Sequence, residues 1–240
     1  MSSRSVVDHA LFLLFLVIPV IEWRWMWPRF LEGLATEFPG VRGAHYRVLI
    51  VAKWAPSMGL ILFWSVAQRP WRLLYFADRP MELIWIGAAL VVAIGGLAIA
   101  LRLTFAATPE RADWLRRRIE FAEPLLPHTL AERHLYWALS VTSGASEEIL
   151  YRGFLPWYLS VWIGPLPAFV VAAVVYGFEH IYMGYAEVPK SALMGMLLGA
   201  VVWYTGSLWP AMILHTAIDL AFGEMGFRLM GSKTETPSYI

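Results

Sequence analysis

The chain has 240 residues and a formal net charge of +1, and 59% of its residues are hydrophobic. Only 15% are charged, against roughly 25% in a soluble globular chain, so the composition predicts a membrane protein with several spans. The balanced charge argues against a nucleic-acid binder, which would carry a basic face. The absence of cysteine excludes disulfides, thiolate nucleophiles and cysteine metal sites.

Three apolar segments in the first half are long enough to cross a membrane, which takes roughly 20 residues. They run from about Val6 to Trp23, Val48 to Ala67 and Leu83 to Leu101. The first segment resembles a signal sequence in part. No small-residue cleavage site follows it, so we expect a retained first span.

Two features of these segments bear on their geometry. Lys53 and Pro56 lie near the start of the second span, which predicts a kink or a shallow beginning. Loops rich in arginine and tryptophan are predicted at residues 24–47 and 68–80. Arginine and lysine are more numerous in the first and third loops than at the amino end and in the second loop. By the positive-inside rule, this places the amino end outside and the carboxyl end inside.

Residues 108–133 are the least apolar part of the chain. Leu115, Ile119 and the pair Phe121–Ala122 fall on roughly one helical face, with the run Arg116–Arg118 around it. This pattern is typical of an amphipathic helix that lies at the membrane interface. A solvated linker is an equal alternative.

Four more helices are predicted in the second half, which brings the total to about seven spans. They run from about Leu135 to Leu159, Leu166 to Ile181, Ala192 to Tyr204 and Leu208 to Phe222. The predicted fold class is therefore all-α, a polytopic transmembrane bundle. Its predicted parts are amino-terminal transmembrane helices (1–107), an interfacial linker (108–133), a helical core (134–225) and a polar, frayed tail (226–240).

Glu147 and Glu148 stand side by side in a segment that otherwise reads as membrane-spanning, and Arg152 follows them. Ionisable residues at membrane depth are kept mainly where they pair or do chemistry. Glu148 and Arg152 are four apart on a helix and can pair directly, whereas Glu147 points about 100° away and can face a cavity. The alternative is a purely structural ion pair with a second glutamate near a helix end.

Two of the other predicted helices each contribute a histidine. His180 ends one of them, and its neighbour Glu179 is expected to face water. His215 and Asp219 share a face of the last helix, so the aspartate can accept the imidazole N–H and fix its tautomer. The intervals from Glu147 to His180 and from His180 to His215 are 33 and 35 residues. Each interval is about one helix, a turn and another helix, so the three groups can converge in one cavity.

These motifs resemble the CAAX prenyl endopeptidase family, known in bacteria as the CPBP or abortive-infection family. The resemblance covers about Leu135 to Phe222. It rests on Glu-Glu-x-x-x-Arg, an aromatic-x-x-x-His helix, and His-x-x-x-Asn/Asp after a Gly-Ser-Leu-Trp-Pro turn. It implies a glutamate-dependent intramembrane protease.

The resemblance also implies a role for each motif residue. The implied catalytic residues are Glu147, His180, His215 and Asp219, with Glu148 and Arg152 supporting the site. Glu147 with His180 would activate water, and His215 with Asp219 would support the oxyanion. The chain departs from the family pattern at Tyr176, where phenylalanine is usual, and at Asp219, where the prenyl proteases have asparagine. An ionised aspartate cannot donate a hydrogen bond, so we expect Asp219 either to be protonated or to orient His215.

The sequence therefore predicts a multi-pass integral protein of the bacterial inner (plasma) membrane that cleaves a membrane-tethered peptide or protein. Membrane lipid and that substrate are the predicted partners, and nucleic acid is not. No cofactor is expected, although zinc held by Glu and His ligands is an alternative. The chain lacks the His-Glu-x-x-His helix of membrane zinc proteases. A non-catalytic membrane binding, transport or immunity protein is the alternative from another class.

Overall fold

The computed structural model describes residues 4–37, 39–76 and 82–230, most of which are helical. Its α-helices are α1 (Val6–Ile21), α2 (Trp27–Ala35), α3 (Val41–Val66), α4 (Glu82–Phe105), α5 (Pro109–Ile119), α6 (Leu130–Glu147), α7 (Leu155–Ile163), α8 (Pro165–Glu179), α9 (Glu187–Thr205) and α10 (Trp209–Met230). Short 3-10 turns lie at Trp71–Leu74, Glu120–Leu125 and His180–Met183. The described residues contain no β-strand, and the predicted all-α bundle is confirmed.

Two of the long helices contain a wider, π-helical turn. Glu22–Met26 joins α1 to α2, and Glu148–Phe154 joins α6 to α7, so each pair forms one continuous helix. A proline closely follows each wide turn, Pro28 in the first case and Pro156 in the second. Because proline has no amide hydrogen to donate to the preceding turn, widening that turn lets the hydrogen bonding resume in a new register. The second wide turn begins at one of the two adjacent glutamates.

Four helical segments are long and apolar enough to cross a membrane: Val6–Ala35, Val41–Val66, Glu82–Phe105 and Pro165–Met183. All four coincide with predicted spans. The other three predicted spans are also helical, over α6–α7, α9 and α10. The loop predicted at 24–47 was wrong for most of its length, because α2 and the first turns of α3 occupy it.

The carboxyl-terminal prediction needs a similar correction. A frayed tail was expected from Gly226, but α10 continues to Met230, and Leu229 is buried. Leu229 packs with Ile119 and Leu126, so apolar contacts stabilise the last turn of the helix. Residues 231–240, the remainder of the predicted tail, lie outside the described residues.

The polar segment near 108–133 forms α5 and the 3-10 turn that follows it. Ile119 and Ala122 are buried, so the predicted apolar face packs against the protein. Arg42 donates to Glu123 at 2.9 Å, and the Tyr46 hydroxyl donates to the Leu125 carbonyl oxygen at 2.6 Å. These bonds hold the 3-10 turn against α3. Contact of the opposite face with a membrane surface stays a prediction.

A glycine sets the distance between α6 and α10. A Cβ at Gly144 would stand 2.8 Å from the amide nitrogen of Thr216 and 3.0 Å from the carbonyl oxygen of Met212. Only a residue without a side chain permits this approach of two helix backbones. Gly144 lies one turn before Glu147, and Thr216 follows His215, so this contact brings the two motifs together.

Candidate active site

The side chains predicted to carry chemistry surround one cavity of about 310 Å³. Glu147 from α6, His180 from the turn after α8, and His215 and Asp219 from α10 all line it. The structure therefore brings together the four residues that the sequence predicted as catalytic. The remaining polar lining includes Tyr136, Ser140, Ser143, Tyr182 and Ser191.

Glu148 and Arg152 form an ion pair behind the cavity wall. The guanidinium Nη1 of Arg152 donates to Glu148 Oε1 at 2.8 Å, and the side chains of Arg152 and Glu148 are 1% and 0% exposed. The guanidinium also lies over the Tyr176 ring, 4.2 Å from its centroid. The predicted pairing of these two residues is confirmed. Neither residue lines the cavity, so Glu148 is not placed to act on a substrate.

Glu148 also fixes His215. The imidazole Nδ1 lies 2.8 Å from Glu148 Oε1, and a carboxylate oxygen only accepts, so we assign a proton to Nδ1. The other nitrogen, Nε2, lies 3.4 Å from the Tyr176 hydroxyl and 3.8 Å from Asp219 Oδ2. The latter distance is too long for a hydrogen bond. The carboxylate that orients His215 is therefore Glu148, whereas the sequence suggested Asp219.

His180 opens the 3-10 turn after α8. Its Nδ1 lies 3.1 Å from the Tyr176 carbonyl oxygen, and a carbonyl oxygen can only accept a hydrogen bond. The proton therefore belongs on Nδ1, and in the neutral ring Nε2 keeps its lone pair. That nitrogen can accept a hydrogen bond from a water molecule in the cavity.

Glu147 has one oxygen bound and one oxygen free. Its Oε1 accepts a hydrogen bond from Lys53 Nζ at 2.6 Å. Its Oε2 has no hydrogen-bond partner among the described residues and lies 3.7 Å from His215 Nε2. The carboxylate is only 4% exposed, so the free oxygen is a buried acceptor beside the second histidine.

The sequence reasoning did not assign Lys53 and Glu179 to the site. Lys53 lies inside α3, and its ammonium also donates to Glu179 Oε1 at 2.9 Å. Glu179 was expected to face water, but it is 5% exposed because its carboxylate turns inward to this ammonium. The signal was present in the sequence, since a lysine inside an apolar span requires a carboxylate partner.

Glu22 is a third carboxylate near Lys53. It lies in the wide turn between α1 and α2 and is buried. With Lys53, Glu147 and Glu179 it lines a smaller pocket of about 40 Å³ on the α1 side of the site. Glu22 was predicted at the end of the first span, and the helix continues beyond it through the wide turn.

The described residues contain no group of three or more His, Asp or Glu side chains placed to hold a metal ion. The expectation that no cofactor is needed stays a prediction, and metal analysis of the purified protein tests it.

Comparison with known proteins gives two matches. Residues 130–221 match the family model "Type II CAAX prenyl endopeptidase Rce1-like", and this segment spans α6 to α10 with all three motifs. The uncharacterized protein YpbD of Bacillus subtilis (strain 168) is 24% identical over 176 residues, which cover 72% of this chain and 83% of the relative. No solved structure matches the chain. The family model therefore agrees with the resemblance that the motifs predicted, over residues 130–221.

Proposed function

From the match of residues 130–221 to the Rce1-like family of type II CAAX prenyl endopeptidases, we propose that the protein is an intramembrane endopeptidase. Its proposed substrate is a membrane-tethered peptide or protein, and its proposed location is the bacterial plasma membrane. One observation carries the proposal: Glu147, His180 and His215 come from separate helices or turns and line the same cavity.

The proposed general base is Glu147. Glu147, Glu148 and Glu179 each have one oxygen bound to a cation and a second oxygen without a hydrogen-bond partner among the described residues. Glu147 is chosen because it lines the cavity, which Glu148 does not, and because its Oε2 lies 3.7 Å from His215 Nε2. A water molecule between Glu147 Oε2 and His180 Nε2 would be held by two acceptors and would lose a proton to the carboxylate. A positioned general base contributes about 10²–10⁴-fold to a rate.

The proposed oxyanion donor is His215. Its Nδ1 proton is bound to Glu148, so Nε2 must carry a second proton to donate. The oxygens of Glu147 and Asp219, at 3.7 and 3.8 Å, place negative charge around Nε2 and favour that proton. Removing a donor of this kind costs about 10²–10³-fold in kcat. In this proposal Asp219 acts through its charge and does not donate a hydrogen bond.

The proposed reaction conserves atoms and charge. The water oxygen attacks the peptide carbonyl carbon while its proton passes to Glu147, and the carbonyl oxygen takes up negative charge beside His215. When the tetrahedral intermediate collapses, the C–N bond breaks and Glu147 returns the proton to the leaving nitrogen. The products are a new carboxylic acid and a new amine, which become a carboxylate and an ammonium when the carboxyl proton passes to the amine, and the glutamate is regenerated.

The test is proteolysis by purified protein in lipid nanodiscs, with a library of membrane-tethered peptides as substrate and mass spectrometry as readout. We expect wild-type protein to cleave members of the library and Glu147→Gln to leave them intact. Glu132→Gln is the matched control, because it is the same change on the same helix. Glu132 forms the capping box of α6, a role that glutamine also fills.

We expect Glu132→Gln to cleave at the wild-type rate. Full activity in a folded Glu147→Gln variant would refute the role of this glutamate. Absence of cleavage across a library that includes prenylated, acylated and transmembrane peptides would count against a protease and in favour of a binding protein.

A further inference from the structure

The ammonium of Lys53 is the one charged group of the site that α3 supplies. This helix lies outside the family-matched segment 130–221, and Lys53 is 94 positions from Glu147 in the sequence. We infer that Lys53 is a positioning residue that holds Glu147 ionised and decides which of its oxygens faces the water. The inference rests on the proposed function, since it assigns a task within that reaction.

The contacts of Glu147 carry the argument. Lys53 Nζ donates a hydrogen bond to Glu147 Oε1 at 2.6 Å, so the lone pair of Oε1 that accepts this bond is not available to a water molecule. The opposite oxygen, Oε2, then points towards His215 and the cavity. A carboxylate without the lysine could rotate about its last bond and present either oxygen, and burial would favour its neutral, protonated form. A protonated glutamate cannot act as the base.

Lys53 is itself held in place. Its ammonium is shared with Glu179, whose carboxylate lies 2.9 Å away, and Glu22 lines the pocket on its other side. Two side chains of α3 that follow this position in the sequence donate hydrogen bonds to α6. Trp54 donates to the Thr142 hydroxyl at 3.2 Å, and Ser57 donates to the Ser146 carbonyl oxygen at 3.4 Å.

These contacts distinguish a lysine that only neutralises charge from a lysine that also orients Glu147. A lysine that only neutralised charge would need no fixed direction, and Glu179 alone would satisfy it. Here the ammonium bridges two carboxylates, and one of them is the proposed base. Glu179 therefore anchors Lys53, and Lys53 orients Glu147. The three residues connect α8, α3 and α6 across the cavity wall.

The first experiment compares Lys53→Met with Lys53→Arg in the nanodisc assay. Methionine keeps the length of the side chain and removes its charge. We expect Lys53→Met to lower kcat by about 10²-fold, within the ~10²–10⁴-fold that a positioned base contributes, and to leave KM unchanged because Lys53 is bound to Glu147 and not to substrate. We expect Lys53→Arg to recover part of the loss.

The second experiment distinguishes positioning from folding. In Lys53→Ala, a small primary alkylammonium ion added to the assay can occupy the space of the lost ammonium, so we expect cleavage to rise with its concentration. Arg133→Ala is the control, because it removes the cation of another short ion pair, with Glu224 at 2.6 Å, outside the cavity. If Arg133→Ala cleaves more slowly because it is less stable, added amine should not restore its cleavage rate.

A third measurement needs neither activity nor a Lys53 variant. In the infrared difference spectrum of wild type minus Glu147→Gln, we expect the band of an ionised carboxylate. A protonated carboxyl band instead would overturn the inference.

The outcomes separate the two proposals. If wild type cleaves, Glu147→Gln does not, and Lys53→Met matches wild type, then the inference fails and the proposed function stands. If added amine raises the cleavage rate of neither Lys53→Ala nor Arg133→Ala, then Lys53 has a packing role and the inference is overturned. If wild type cleaves nothing, the proposed function fails, and the infrared band still decides whether Glu147 is held ionised.

Discussion

Because α6 and α10 are in close contact at Gly144, we expect Gly144→Ala to lower activity strongly while most of the protein stays folded. In Gly144→Ala the new methyl group would meet the amide nitrogen of Thr216 at 2.8 Å. The Thr216 side chain can rotate away, but its backbone cannot. An ordinary contact of 3.4 Å therefore requires the two helices to separate by about 0.6 Å at this point.

That separation acts directly on the site. His215 precedes Thr216, and its Nδ1 lies 2.8 Å from Glu148 Oε1, so the same displacement would stretch this bond towards the limit of a hydrogen bond. Overpacking of this kind costs about 1–3 kcal/mol of stability. A misplacement approaching 1 Å can cost about 10²-fold in rate. We therefore expect kcat/KM to fall by about 10- to 100-fold while most of the protein stays folded.

The assay is kcat/KM for a cleaved peptide, measured beside the thermal unfolding midpoint of the same nanodisc sample. Gly95→Ala is the control, because a Cβ at that position of α4 meets nothing within 4 Å. Replacing a helical glycine with alanine there should stabilise the protein by up to about 1 kcal/mol and leave activity unchanged. Wild-type activity and stability in Gly144→Ala would refute the close approach of the two helices.

Three further predictions concern single groups. Arg152→Met leaves the Glu148 carboxylate buried and without its cation, so we expect a loss of about 3–5 kcal/mol, visible as a lower unfolding midpoint; an unchanged midpoint would contradict this. Asp219→Asn removes a charge that makes no hydrogen bond to His215, so we expect kcat to change by less than about tenfold; complete inactivity would instead give Asp219 a direct role. Chelators should leave cleavage unchanged and metal analysis should find no stoichiometric zinc, whereas inhibition reversed by added zinc would support the metal alternative.

Local sequence patterns were sufficient for the helices and for one ion pair. The predicted spans appear as helices because long apolar runs leave the backbone few other ways to satisfy its hydrogen bonds in lipid. Glu148 and Arg152 were paired correctly because a helix places residues four apart on one face. This local geometry survives the wide turn in which both residues lie.

Other parts of the site depend on contacts that are distant in the sequence. Lys53 and Pro56 together suggested a kink or a shallow start, and nothing near Lys53 in the chain indicated which group neutralises its charge. Its partners, Glu147 and Glu179, are 94 and 126 positions away. Glu179 was placed in water because it lies at a helix end and points about 100° away from His180. A charge inside a span indicates that a partner exists, and only the fold shows which one.

The orientation of His215 also required the fold. A helix places Asp219 on the same face, and this made it the expected partner. The close approach at Gly144 brings Glu148 nearer than Asp219, at 2.8 Å rather than 3.8 Å. The spacing of these residues in the sequence does not indicate which carboxylate reaches the imidazole first.

The most direct test of a glutamate-activated water is a single turnover of the wild-type protein in water labelled with ¹⁸O. If Glu147 removes a proton from the attacking water, the label enters the new carboxyl group of the cleaved peptide, and Glu147 in the recovered enzyme stays unlabelled. Label in the Glu147 carboxylate would show that the glutamate itself attacked the peptide through an acyl intermediate, and would contradict the account.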